Sequence, residues 1–178
     1  MWPLFCDRAE PQEKPMETAL LLAQFSATGS IAGWLSLGVR DNILHPSVNE
    51  TYTAEVMDMT RMRTEFPAQF AEVAHRAVSD RRTQLLAFRL IVVIELATVV
   101  LLWVGATALA MALFGFALPE TARALAILGA TAFTTIWAGF LIVGNHFSYW
   151  FCHEGAQNTH YQMTLWGLGT LILLAQTA

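Results

Sequence analysis

Four stretches of this sequence stay apolar for longer than a soluble domain requires, and one long polar stretch separates the first from the rest. The hydrocarbon core of a bilayer is ~30 Å thick and takes about 20 helical residues to cross. By that measure the pattern predicts spans at about residues 18–39, 85–114, 122–144 and 161–178. The second and third are the most apolar. From Leu90 to Phe114 the only charge is Glu95, and from Ala124 to Asn145 there is none. The link between them, Ala117-Leu118-Pro119-Glu120, is short, so they are expected to pack antiparallel. The first span is the least apolar, with Gln24, Ser26, Thr28, Ser30 and Ser36. Its Gly29 and Gly33 form a small-residue step of the kind that lets a second backbone approach closely. The plainer alternative is that its hydroxyls simply bond back to their own helix.

The expected fold is therefore an all-α membrane protein. It consists of a polar tail over 1–17 and a four-transmembrane-helix bundle over 18–178, with a capping loop over 40–84 between the first two helices. That loop is expected to be partly helical. Phe66, Phe70 and Val73 recur at helical spacing, Pro67 suits a first helical turn, and Ser79 with Asp80 caps the second span.

Composition supports this reading. Hydrophobic residues make up 55% and charged residues 13%, against about 25% charged in soluble domains, and mean hydropathy is +0.46. The net charge of −4 supplies no basic face for nucleic acid. Asp7, Glu10, Glu13 and Glu17 near the start argue against a basic signal-peptide n-region. Cys6 and Cys152, far apart, read as free half-buried thiols. Arg40, Arg61, Arg63, Arg76, Arg81, Arg82 and Arg89 gather on the side of the long loop, which positive-inside counting places in the cytoplasm. Trp34, Tyr149, Trp150, Tyr161 and Trp166 fall on that same side as an interfacial belt, whereas Trp103 and Trp137 lie at packing depth.

Few residues are placed to do chemistry. Glu95 sits in an otherwise apolar run, where a charge costs ~2.5–3.5 kcal/mol on insertion scales. Arg89, six residues earlier, points elsewhere on the helix, so a partner must come from another element. Asn145 and His146, at the end of the third span and in the same leaflet, are candidates, with residues 40–83 as the roof of a shared polar pocket. A bland alternative is a structural glutamate bonded to a neighbouring Asn, Thr or backbone group. His146, His153 and His160 recur every seven residues, about 10.5 Å apart on a continuous helix, whereas zinc–nitrogen bonds are about 2.0 Å. Shared ligation would need a bend, which Gly155 allows. Haem, copper or zinc on these histidines is an alternative, and no cofactor is the main expectation. Met57, Met59 and Met62 read as a surface helix against lipid or protein.

Asn42, Asn49, Tyr52, Val56, Met57 and Met59, the early glutamate Glu95, and the Trp-containing segment from Gly144 to Asn158 together resemble a bacterial family of predicted small integral membrane proteins, a domain of unknown function. The likeness covers most of the chain after about residue 18. Where the family carries Gly-Gly-Glu-Trp, this chain has Gly144, Asn145, His146 and Phe147, and the family's basic loop between spans two and three is absent. The resemblance implies four helices in a bacterial membrane with the long loop outside, against the charge count, and it supplies no activity.

Three functional readings follow. The first is an accessory, structural subunit of a larger bioenergetic complex in the bacterial inner membrane, with the bilayer and other subunits as partners. The second is a haem- or metal-binding redox protein using His146, His153 and His160. The third is a proton-coupled protein centred on Glu95. An enzyme is least favoured, because no activated nucleophile is readable.

Overall fold

A computed structural model describes residues 13–177; the expectation for Cys6 lies outside them. All regular structure among these residues is helical. In chain order the helices are α1 (Glu13–Leu44), α2 (Pro46–Met57), α3 (Thr60–Glu65), α4 (Pro67–Val73), a 3-10 turn (Ala74–Arg76), α5 (Arg81–Leu113), α6 (Pro119–His146), a second 3-10 turn (Tyr149–Phe151) and α7 (Glu154–Leu174). Helix α1 begins inside the segment expected as a tail and runs five residues past the predicted end of the first span.

Three helices, Pro15–Leu44, Arg81–Leu113 and Pro119–His146, are long and apolar enough to cross a membrane. The expected fourth, α7, is not among them. It packs beside α6 and α1, but Gln157, Asn158, His160 and Gln162 make its first half polar. Thus a helix covers most of the predicted run but starts seven residues before it, and its polar N-terminal turns separate it from the other three.

The bundle is arranged as lipid-embedded helices require. Large side chains such as Leu86, Val93, Val100, Ile142, Leu165 and Ile172 face outward. Inside, small residues let backbones meet: a Cβ on Gly105 would sit 2.5 Å from Ala126 Cα, and one on Gly129 would sit 2.9 Å from Leu102 Cα. In lipid there is no hydrophobic drive between helices, so close packing of this kind holds them together. Gly167 does the same for α7, where a Cβ would meet Thr134 Oγ1 at 2.2 Å. Gly29 and Gly33 do not: nothing lies within 4 Å of an added Cβ at either position. Ser26 and Ser30 donate to Leu22 O and Ser26 O of their own helix.

Away from the cavity described below, Arg123 fastens three helices. Its Nε donates to Gln24 Oε1 (3.0 Å) and its Nη2 to Glu17 Oε1 (2.6 Å), while Gln24 Nε2 donates to the carbonyls of Leu173 and Gln176 near the end of α7.

At the opposite end, the polar stretch between α1 and α5 folds into three short helices. Pro46 and Pro67 stand in the first turns of α2 and α4. Met59, with φ 52°, turns the chain between α2 and α3. A second apolar core of Met59, Met62 and Phe147, flanked by Phe66, Phe70 and Phe151, holds this cap on the bundle. The methionines thus face protein. Asp80 caps α5 as expected, accepting from Thr83 N at 2.9 Å.

Candidate functional site

Glu95 is 5% exposed. Its Oε2 accepts from Asn42 Nδ2 at 2.9 Å, and Asn42 Oδ1 accepts from Asn49 Nδ2 at 2.6 Å. The partner required from another helix is therefore Asn42 on α1, held in turn by Asn49 on α2. The alternative of a glutamate bonded to a neighbouring Asn describes this half of the site. Asn145 and His146, the candidates from the end of α6, are exposed and lie outside the site; His146 contributes its carbonyl to Arg76 Nη1 at 3.5 Å. Helix α6 ends at His146 and the chain reverses at Ser148 (φ 52°), so the turn carries those two side chains away and swings Tyr149 inward.

Glu95 borders a cavity of about 300 Å³ between α1, α2, α5, α6 and α7. Asn49, Tyr52 and Met57 of the cap roof it, Phe88 and Ile91 of α5 form one wall, and Trp137 and Phe140 of α6 form another. Tyr149 and His160 complete it. Their side chains share a hydrogen bond, Tyr149 Oη to His160 Nδ1 at 3.2 Å, and His160 also packs on Phe140 and Trp137 with ring centroids 4.9 and 5.4 Å away. Burial, with Tyr161 and Tyr52 nearby, pushes the Tyr149 phenol up to about 12, so it is a neutral hydroxyl. Gly144 is needed here, since a Cβ would strike the Tyr149 ring at 2.3 Å.

Trp137 is 7% exposed, and its indole Nε1 has no hydrogen-bond partner among the described residues. A second clasp closes the roof. Tyr52 Oη and His153 Nδ1 lie 3.1 Å apart, with the rings edge to face. Burial, aided by Arg61, lowers the His153 pKa and keeps the ring neutral. Glu50 pairs with Arg81, and Val78 N donates to Met57 O at 2.8 Å.

The three histidines are thus dispersed: one exposed, one on Tyr52, one on Tyr149. Among the described residues no three His, Cys, Asp or Glu side chains gather in a way that would hold a metal ion. Cys152 is free and half-buried, as read from the sequence. The aromatic belt divides: Trp150, Tyr161 and Trp34 are exposed, Trp34 also packing edge-on to Trp137 at 5.3 Å and to Trp166 at 6.4 Å, while Tyr149 is buried. Trp103 is 45% exposed and reaches Ser36 Oγ at 3.0 Å, so it sits on the bundle surface rather than in its packing.

Sequence reasoning found Glu95 and the roof but missed Asn42 as the partner. Asn42 and Asn49 were visible only as points of family likeness. Seven residues on one helix would hold them about 10.5 Å apart; the break between α1 and α2 at His45 is what lets them meet.

Apolar helices of spanning length with their bulk turned outward define a helical integral membrane protein. The chain belongs to the family of the predicted small integral membrane protein (DUF2165), which matches residues 20–177. Searches of curated proteins and of solved structures return no match.

Proposed function

We propose that this protein holds a small, lipid-soluble molecule in the cavity beneath its cap. The observation that carries this is the make-up of the cavity. Its volume of about 300 Å³ stands at the lower end of small-molecule sites, which are typically apolar with a few convergent polar groups. Here the polar groups are Glu95 with Asn42 on one side and Tyr149 with His160 on the other. The test is mass spectrometry of what accompanies the chain purified in mild detergent. The wild type is expected to carry a small molecule in stoichiometric amount, and Ala156→Trp, which fills the cavity, is expected to lose it. An identical set of copurifying molecules in both would refute the reading.

A second reading, an accessory subunit of a larger complex, is favoured by the open face of α1 at Gly29 and Gly33. Gly29→Leu is then expected to strip a partner subunit that copurifies with the wild type. A wild-type preparation that is only monomer counts against it.

Both readings place the protein in the bacterial inner membrane with α7 as a fourth crossing. At 21 residues, α7 is about 31 Å long. A reporter fused after Leu174 is expected on the opposite side of the membrane from one inserted near Arg61; the same side for both excludes the crossing.

A further inference from the structure

We infer that the occupant of the cavity bears a planar aromatic head with hydroxyl groups on an apolar tail, as in a hydroquinone-type lipid. This rests on the ligand-binding reading and names its ligand.

Three observations converge. The first is the Trp137 indole N–H, buried and unpartnered on the cavity wall. An unmade buried hydrogen bond costs about 1–3 kcal/mol, and the neighbouring polar groups are already engaged: Asn42 at both ends, Tyr149 with His160, Tyr52 with His153. Glu95 Oε1 remains open but does not reach Trp137, so an occupant that brings an acceptor to this wall completes the indole.

The second is register. Helices α5 and α6 run antiparallel with Gly105 against Ala126 and Leu102 against Gly129. Continued toward the cap, that register brings Glu95 level with Ile136, one residue short of Trp137. Packed helix axes lie about 8–10 Å apart. Glu95 Oε2 receives Asn42, whereas Oε1 has no hydrogen bond from the described residues. One head group at that depth therefore meets an acceptor on α5 and a donor on α6.

The third is the shape of the walls between them. Phe140, Phe147, Tyr149 and His160 present rings, which favour a flat partner in offset or edge contact. An ammonium head would suit Glu95 and the rings but offers nothing to an indole N–H. A carboxylate would suit Trp137 but has no hydrogen to donate to Glu95 Oε1. A hydroxylated ring answers both, donating to Oε1 from one oxygen and accepting from Nε1 at another.

The full chain in nanodiscs, titrated with probes sharing a decyl tail, tests this. Decylhydroquinone is expected to bind at least about tenfold tighter than its dimethyl ether, decylbenzene or decyltrimethylammonium, since one hydrogen bond to a buried group is worth about that factor. Glu95→Leu should erase most of the preference over the dimethyl ether, which can still accept from Trp137, and Trp137→Phe should reduce the preference over decylbenzene. Should either variant not fold, the wild-type series still decides. Decylbenzene binding as tightly as the hydroquinone, and lost in Ala156→Trp, overturns the head-group inference while leaving the cavity as a ligand site. Tighter binding of the ammonium, or an undiminished preference over decylbenzene in folded Trp137→Phe, overturns it equally. If none of the four binds, both the inference and the reading beneath it fall.

Discussion

Glu95 is tolerated in an apolar helix because Asn42 donates to it and Asn49 fixes Asn42. Removing the donor strands a buried oxygen, at about 1–3 kcal/mol. Asn42→Ala is therefore expected to lower the thermal midpoint in detergent. Glu95→Gln, whose amide oxygen still accepts from Asn42, should stay close to wild type; equal losses in both would mean that the carboxyl has a role the hydrogen bond does not explain. Outside the membrane, His153 gives the cap a pH dependence. Its ring faces Tyr52 and feels Arg61, Glu55 and Glu65, and burial holds its pKa below the ordinary 6.5. The unfolded or opened form binds the proton more readily, so the clasp is firm above about pH 6.5 and weakens as pH falls below it. Protection of the amides in Pro46–Met57, taken relative to their intrinsic exchange at each pH, should fall between pH 7 and pH 5, and His153→Phe should flatten that change. Legibility at this scale was uneven. The cost of a carboxyl in hydrocarbon singled out Glu95 without any structure. Its partner was hidden because Asn42 lies beyond the predicted end of the first span, in what looked like loop.

Among elements, glycines divide into two kinds. Gly105 and Gly129 sit against backbone, whereas Gly29 and Gly33 border open space. Gly105→Leu must force α5 and α6 apart, and overpacking of a tight contact costs typically about 1–3 kcal/mol. Gly29→Leu should leave the stability of the isolated chain unchanged. Thermal unfolding of the two variants in detergent checks the contrast, and a loss at Gly29 as large as at Gly105 would contradict it. Sequence spacing drew attention to Gly29 and Gly33 and passed over Gly105 and Gly129, because the latter two lie on different helices. Apolar length located every long helix to within a few residues, apart from the extensions of α1 at its two ends and α7 at its start. It could not say that within the polar first half of α7 His160 turns to the cavity while Asn158, Thr159 and Gln162 are exposed.

For the whole molecule, the cap and the cavity lie at one end and the Arg123 fastening lies away from them. Outward-facing bulk on α5, α6 and α7 means that the chain should stay with membranes through an alkaline carbonate wash and need detergent for release; recovery in the aqueous wash would contradict membrane integration. The apolar turn Phe114–Leu118, with Phe114, Phe116 and Leu118 more than 70% exposed, suits insertion among the lipid headgroups of the far leaflet.

The close seam at Gly105 and Gly129 has a mechanical corollary. A pair of helices whose backbones touch over the turn at Gly105 and Gly129 acts as the fulcrum of a pair of tongs, leaving the jaws free to part. Any guest admitted beneath the cap is then accommodated by α2 and the upper turns of α5 and α6, with the lower shafts motionless. Deuterium uptake on loading should accordingly change around Asn49–Met57 and stay constant from Gly105 to Gly129.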